Sequence, residues 1–119
     1  MKEIMETLEY RGVEYPLVMN INVLQELQKE YGSFEAWAKL ILLGNGETDL
    51  GALTFGVMAM INEGIDIENE EKGTELRKPI NQRQAGRMLT AVGLEQATEK
   101  VLGLMTESNK SAEPAPKNE

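Results

Sequence analysis

The hydrophobic period of this chain changes once, near Asn20, and that change constrains the fold more than any other feature. Before it, Val13, Tyr15, Leu17 and Met19 alternate with Glu14, Pro16 and Val18. This is the period of two that a half-buried strand requires. Ile4, Leu8 and Tyr10 follow the rule more loosely, with Glu6 out of pattern. Arg11-Gly12 separates the two runs, and glycine tolerates the positive φ of a tight turn, so residues 4 to 19 read as a β-hairpin. Pro16 has no N–H to give a ladder, which places its strand at an edge.

After Asn20 the spacing is helical. Leu24, Leu27 and Tyr31 share one face of a first helix, with Asn20 or Asn22 as its cap and Gly32 at its end. Ser33 caps a second helix, whose inward set is Phe34, Trp37, Leu40 and Ile41; Gly44-Asn45-Gly46 is expected to stop it in an interhelical turn. Asp49 caps a third, with Leu50, Leu53, Val57 and Ile61 on one face and Met58 and Met60 beside them. Gly51, Gly56 and Gly64 fall in or near this helix, and an interior glycine costs about 1 kcal/mol relative to alanine. Mid-helix Gly56 therefore points to close packing against another backbone, with simple tolerance as the alternative. Residues 62 to 78 are polar and read as a helix extension followed by an exposed loop, closed by Pro79. Asn81 caps a fourth helix built on Ala85, Met88, Leu89 and Val92, Gly93 ends it, and a fifth carries Leu94, Ala97, Val101, Leu102 and Met105.

Residues 108 to 119 hold no large apolar side chain and two prolines. Such a segment cannot bury enough surface to offset ordering entropy, so a disordered tail is expected. The expected fold class is α+β, mainly α: an N-terminal β-hairpin, about five helices in a single domain over residues 1–107, and the tail over 108–119.

Charge and residue usage narrow the function. The 119 residues carry 20 acids against 12 bases, a net charge of −8, which repels phosphate backbones and anionic membranes. There is no cysteine and no histidine, which removes disulfides, thiolate and imidazole chemistry and the commonest zinc ligands. Asp66, Glu68 and Glu70 alternate as calcium ligands do, but Glu71 and Arg77 stand where that loop needs glycine and glutamate. No acid lies inside an apolar run, where desolvation would tune it for proton transfer. Gly44-Asn45-Gly46 lacks the lysine and hydroxyl residue of a phosphate loop. The expectation is a protein that is no enzyme and uses no cofactor or metal. Met1-Lys2-Glu3-Ile4 lacks the pattern of a secretory leader, and the longest strongly apolar stretch, Leu40 to Leu43, is far too short to span a bilayer, so a cytoplasmic location without membrane contact is expected.

The candidate interaction residues are Tyr31, Phe34 and Trp37, an aromatic cluster, together with Met58, Met60, Met88 and Met105. Aromatic residues at helical spacing read first as core and second as a binding groove. Methionine fills irregular cores and also adapts to partner surfaces.

The run Tyr15-Pro16-Leu17-Val18-Met19-Asn20-Ile21-Asn22-Val23-Leu24, continued by Leu27-Gln28-Lys29-Glu30-Tyr31-Gly32-Ser33-Phe34 to Trp37, resembles the tail assembly chaperones of long-tailed phages and prophages of Gram-positive bacteria. Asn81-Gln82-Arg83-Gln84-Ala85 extends the likeness less sharply. The resemblance implies a protein that coats the helical tape measure protein before the tail tube polymerises, and that recruits tube subunits. It implies no catalytic residues. Such chaperones are often made in short and frameshift-extended forms, and the tail from Ser108 to Glu119 suits either a short form or a linker. Partners expected on this ground are the tape measure protein and tail tube protein, with a homo-oligomer left open. Two other readings stay open: another phage structural or head–tail joining protein, and a small DNA-binding regulator using Gln82, Arg83, Gln84 and Arg87.

Overall fold

A computed structural model describes residues 4–42 and 47–112. Two strands, β1 (Ile4–Tyr10) and β2 (Val13–Met19), precede five helices: α1 (Ile21–Tyr31), α2 (Phe34–Ile41), α3 (Leu50–Lys72), α4 (Gln82–Val92) and α5 (Leu94–Ala112). The fold is α+β and mainly α, with an N-terminal antiparallel hairpin.

The hairpin turns on two residues with positive φ, Arg11 at 55° and Gly12 at 76°. Two such residues match the right-handed twist of the arms they join. Tyr10 pairs with Val13 across the turn and Thr7 with Pro16. In this register the hydrogen-bonded pairs begin at Tyr10 and Val13, so the backbone groups of Glu14, Pro16 and Val18 face away from β1. Pro16 thus stands where no donor is needed. Arg77 occupies the same outer edge, its Nη1 donating to the Glu14 carbonyl at 2.9 Å.

Period-two burial fails at the end of β2, where Pro16, Leu17, Val18 and Met19 are all buried. The cause is α3, whose Gly64 lies so close to the strand that a Cβ there would stand 2.5 Å from Pro16 Cγ and 3.2 Å from Val18 Cγ2. Leu17 and Met19 join Leu8 in the common core.

Caps set the helix boundaries. Asn20, not Asn22, caps α1 by accepting from the Val23 amide; Ser33 accepts from Ala36 and Asp49 from Ala52. Asn81 and Gln84 form a reciprocal capping box at α4. Gly32, Gly73 and Gly93 close α1, α3 and α4 with positive φ.

Helix α3 is the axis of the molecule. It buries Ala52, Leu53, Gly56, Val57, Ala59, Met60, Ile61, Gly64 and Ile65, far more than one stripe, because α1, α2, α4 and the hairpin all pack around it. By length and composition it could cross a membrane, yet half of its most apolar window is buried within the fold. The wrapping of both Gly56 and Gly64 by neighbours is the packing of a core helix.

Four stripe assignments shift. On α1 Val23 replaces Leu24 as the buried partner of Leu27; on α5 Leu104 is buried where Leu102 was expected. Leu50 and Leu94, expected inside, are 57% and 48% exposed. Each is the first residue of its helix, before the neighbouring elements close over it. Helix α5 also continues to Ala112, through five residues expected to be disordered. A helix supplies its own backbone hydrogen bonds without burial. The remaining tail residues 113–119 and Gly44-Asn45-Gly46 lie outside the described residues.

Candidate functional site

The α1–α3 interface is a zipper of asparagines below and aromatics above. Asn20 caps α1 with its oxygen and donates its amide to Glu63 Oε2 of α3 at 2.8 Å, while Asn22 donates to the same oxygen at 2.9 Å. At the other end Tyr31 meets Phe55 edge-on, with ring centroids 5.7 Å apart. A groove runs along α3 from Met58 past the asparagine end to Asn69.

The groove encloses about 390 Å³. Asn22, Val23 and Glu26 of α1 form one wall, and Met58, Ala59, Asn62, Glu63, Ile65, Asp66 and Asn69 of α3 form floor and opposite wall. Glu75 and Pro79, from the segment joining α3 to α4, close one end. Two asparagines hold that segment in place. Asn62 accepts from the Ile80 amide at 2.7 Å and donates to the Ile80 carbonyl at 3.0 Å, as a paired strand would. Asn69 accepts from Leu76 and donates to the Arg77 carbonyl. The segment read as an exposed loop is exposed in its side chains, and its backbone is stitched to α3.

Met58 is the half-buried apolar side chain in this groove; one turn before it on the same helix, Phe55 carries the apolar stripe to Tyr31. Burial first, then the charges of Glu30 and Asp49, raise the Tyr31 phenol above its usual range. Glu26, Asp66 and Glu75 rim the groove, and none of the three forms an ion pair among the described residues. Its character is an apolar step beside an acidic wall, suited to a side chain that is apolar at its base and positive at its tip.

No protein family, curated protein or solved structure matches this chain.

The seven interaction candidates divide. Trp37, Met60, Met88 and Met105 are core, at 0%, 0%, 2% and 6% exposure. Trp37 is held by its Nε1 donating to the Ala52 carbonyl at 2.9 Å, and its ring lies against Gly56. Tyr31, Phe34 and Met58 stay half-buried, and Phe34 leans on Trp37 with centroids 5.7 Å apart. Sequence reasoning missed Asn62, Asn69, Glu26 and Glu75, and weighed Asn22 only as a cap and Asp66 only as a calcium ligand. Asparagines inside a helix were the available signal, since they are poor helix formers unless their side chains bond elsewhere.

Among the described residues, no group of three acids is placed to hold a metal ion. The acids of 63 to 71 instead lie along the last turns of α3. On α4, Gln84 is committed to the capping box, while Gln82, Arg83 and Arg87 are exposed.

Proposed function

We propose that this protein is a phage tail assembly chaperone that binds the helical tape measure protein during tail morphogenesis, and that it carries out no chemistry of its own. The observation that carries the reading is a coincidence of sequence and surface. Residues 15 to 37, which resemble such chaperones, supply Asn22, Val23 and Glu26, one whole wall of the α1–α3 groove.

The groove suits the cargo. A long helical protein offers side chains at i, i+3 and i+4, and these dock into apolar grooves as anchors. Met58 adapts to anchors of different shape, which a chaperone binding many sites along one chain needs. Many copies on one chain gain avidity from weak individual contacts. A net charge of −8 keeps such a coat soluble and favours basic stretches of cargo.

Co-expression tests the reading. This protein and the tape measure protein encoded with it should co-purify, and the tape measure protein should become insoluble when expressed alone. Finished virions should lack the chaperone. A tape measure protein that stays soluble alone and does not co-purify overturns the assignment; incorporation into virions would favour a structural or head–tail joining protein instead.

A further inference from the structure

We infer that the cleft between the first turns of α3 and α5 is a second docking surface, whose occupant is a helical segment presenting a leucine-sized anchor flanked by lysine or arginine. It uses none of the groove residues and stands independently of the tape measure reading.

Scattered exposed leucines carry no information on their own, because folded surfaces always retain some apolar area. Leu50 and Leu94 are different. Both belong by spacing to buried stripes, both are about half exposed, and both line one open cleft of about 510 Å³. Two helix starts thus converge their unburied leucines on a concave surface, the geometry in which anchor residues concentrate binding energy.

Charge selects the occupant. Glu95 and Glu99 line the cleft one turn apart on α5, where like charges oppose each other. Neither forms an ion pair among the described residues, and the neighbouring Lys100 turns instead to Glu6 of β1 at 3.5 Å. A positive side chain entering beside the anchor relieves that repulsion and steers the encounter. A second copy of this chain would bring its own acidic surface to the same rim, at −8 per chain.

The test uses the full chain and two synthetic amphipathic helices, one of leucine and lysine and one of leucine and glutamate. Binding is followed by titration calorimetry and by backbone amide NMR. The leucine–lysine helix should bind, with shifts centred on Leu50, Leu94 and Thr98, and the leucine–glutamate helix should not. Leu50→Ser with Leu94→Ser should weaken binding at least about tenfold, as should Glu95→Gln with Glu99→Gln, which leaves the apolar surface intact. Glu95→Lys with Glu99→Lys should transfer the preference to the leucine–glutamate helix. Met58→Glu, in the other groove, should leave these shifts in place. Shifts centred on Met58 overturn the inference, as does unchanged affinity in the folded leucine or glutamine pair. So does a dimer in sedimentation that the leucine pair abolishes, since the cleft would then belong to a second copy.

Discussion

The indole of Trp37 occupies the space that a side chain at Gly56 would need: a Cβ there would stand 2.5 Å from Cζ2 and 3.2 Å from Nε1. The ring cannot swing away freely, because Nε1 donates to the Ala52 carbonyl one turn earlier on the same helix. Gly56→Ala should therefore destabilise the protein by about 1–3 kcal/mol, the usual cost of overpacking, even though alanine is the better helix former. Urea unfolding measures this; a midpoint equal to or above that of the parent would mean that the indole yields.

Gly86 provides the opposite sign. It lies within α4, and a Cβ there would meet nothing within 4 Å. Gly86→Ala should stabilise by about 0.5–1 kcal/mol through helix propensity and a less flexible unfolded chain. The same urea experiment decides it, and a loss of stability would reveal a neighbour at that face.

Arg77 makes three contacts at once. Its guanidinium lies over the Tyr15 ring at 4.9 Å, donates to the Glu14 carbonyl at 2.9 Å and pairs with Glu68 at 2.7 Å. Lysine keeps the charge but loses the planar fork and the stack. Arg77→Lys should cost about 1 kcal/mol in thermal or urea unfolding. Parity with the parent would mean that charge alone matters there.

Tyr31 makes stability depend on alkaline pH. Burial, with Glu30 and Asp49, raises its folded pKa, so the neutral phenol is favoured in the folded state. The stability it contributes is complete below the unfolded value, about pH 10, and is lost as pH rises through the folded value. Phenolate absorbance should show a component ionising above that range, which Tyr31→Phe removes together with its share of the alkaline stability loss. Retention of that component in Tyr31→Phe would assign it elsewhere.

Met58 separates binding from folding. It is half-buried at the groove, so Met58→Glu adds a further negative charge to a groove already lined by Glu26, Glu63, Asp66 and Glu75 without emptying the core. Capture of the tape measure protein should fall at least about tenfold while circular dichroism stays native. Undiminished capture by the folded variant would move the cargo site off this groove.

Much of this architecture is local and was legible in the chain. The turn at Arg11-Gly12, the caps Ser33, Asp49 and Asn81 and the stops at Gly32 and Gly93 depend on backbone groups within a few residues, and each appears where its side chain predicts. The run from Leu50 to Ile61 predicted a helix, and Gly56 predicted a close neighbour, although that neighbour is the Trp37 side chain and not the backbone expected.

The candidate site was less legible, because grooves are differences between elements. Periodicity reports which residues are apolar and on which face, so it grouped Met60 with Met58 and Leu50 with Leu53. Which of each pair is covered depends on how far α1, α2 and the hairpin extend along α3, and on where they part. Asn62 and Asn69 signal only by their poor fit to a helix interior, since an amide that stitches a remote segment otherwise looks the same as one that faces water.

Residue order alone settled the hairpin, the helix count and the boundaries set by caps, since each follows from interactions spanning at most a turn or two. Tertiary packing decided that Trp37 fills the notch at Gly56, that both faces of the second half of β2 are buried, and that Leu50, Leu94 and Met58 stay reachable. The physical reason is that burial belongs to pairs of surfaces brought together from distant parts of the chain, and no single segment carries that information.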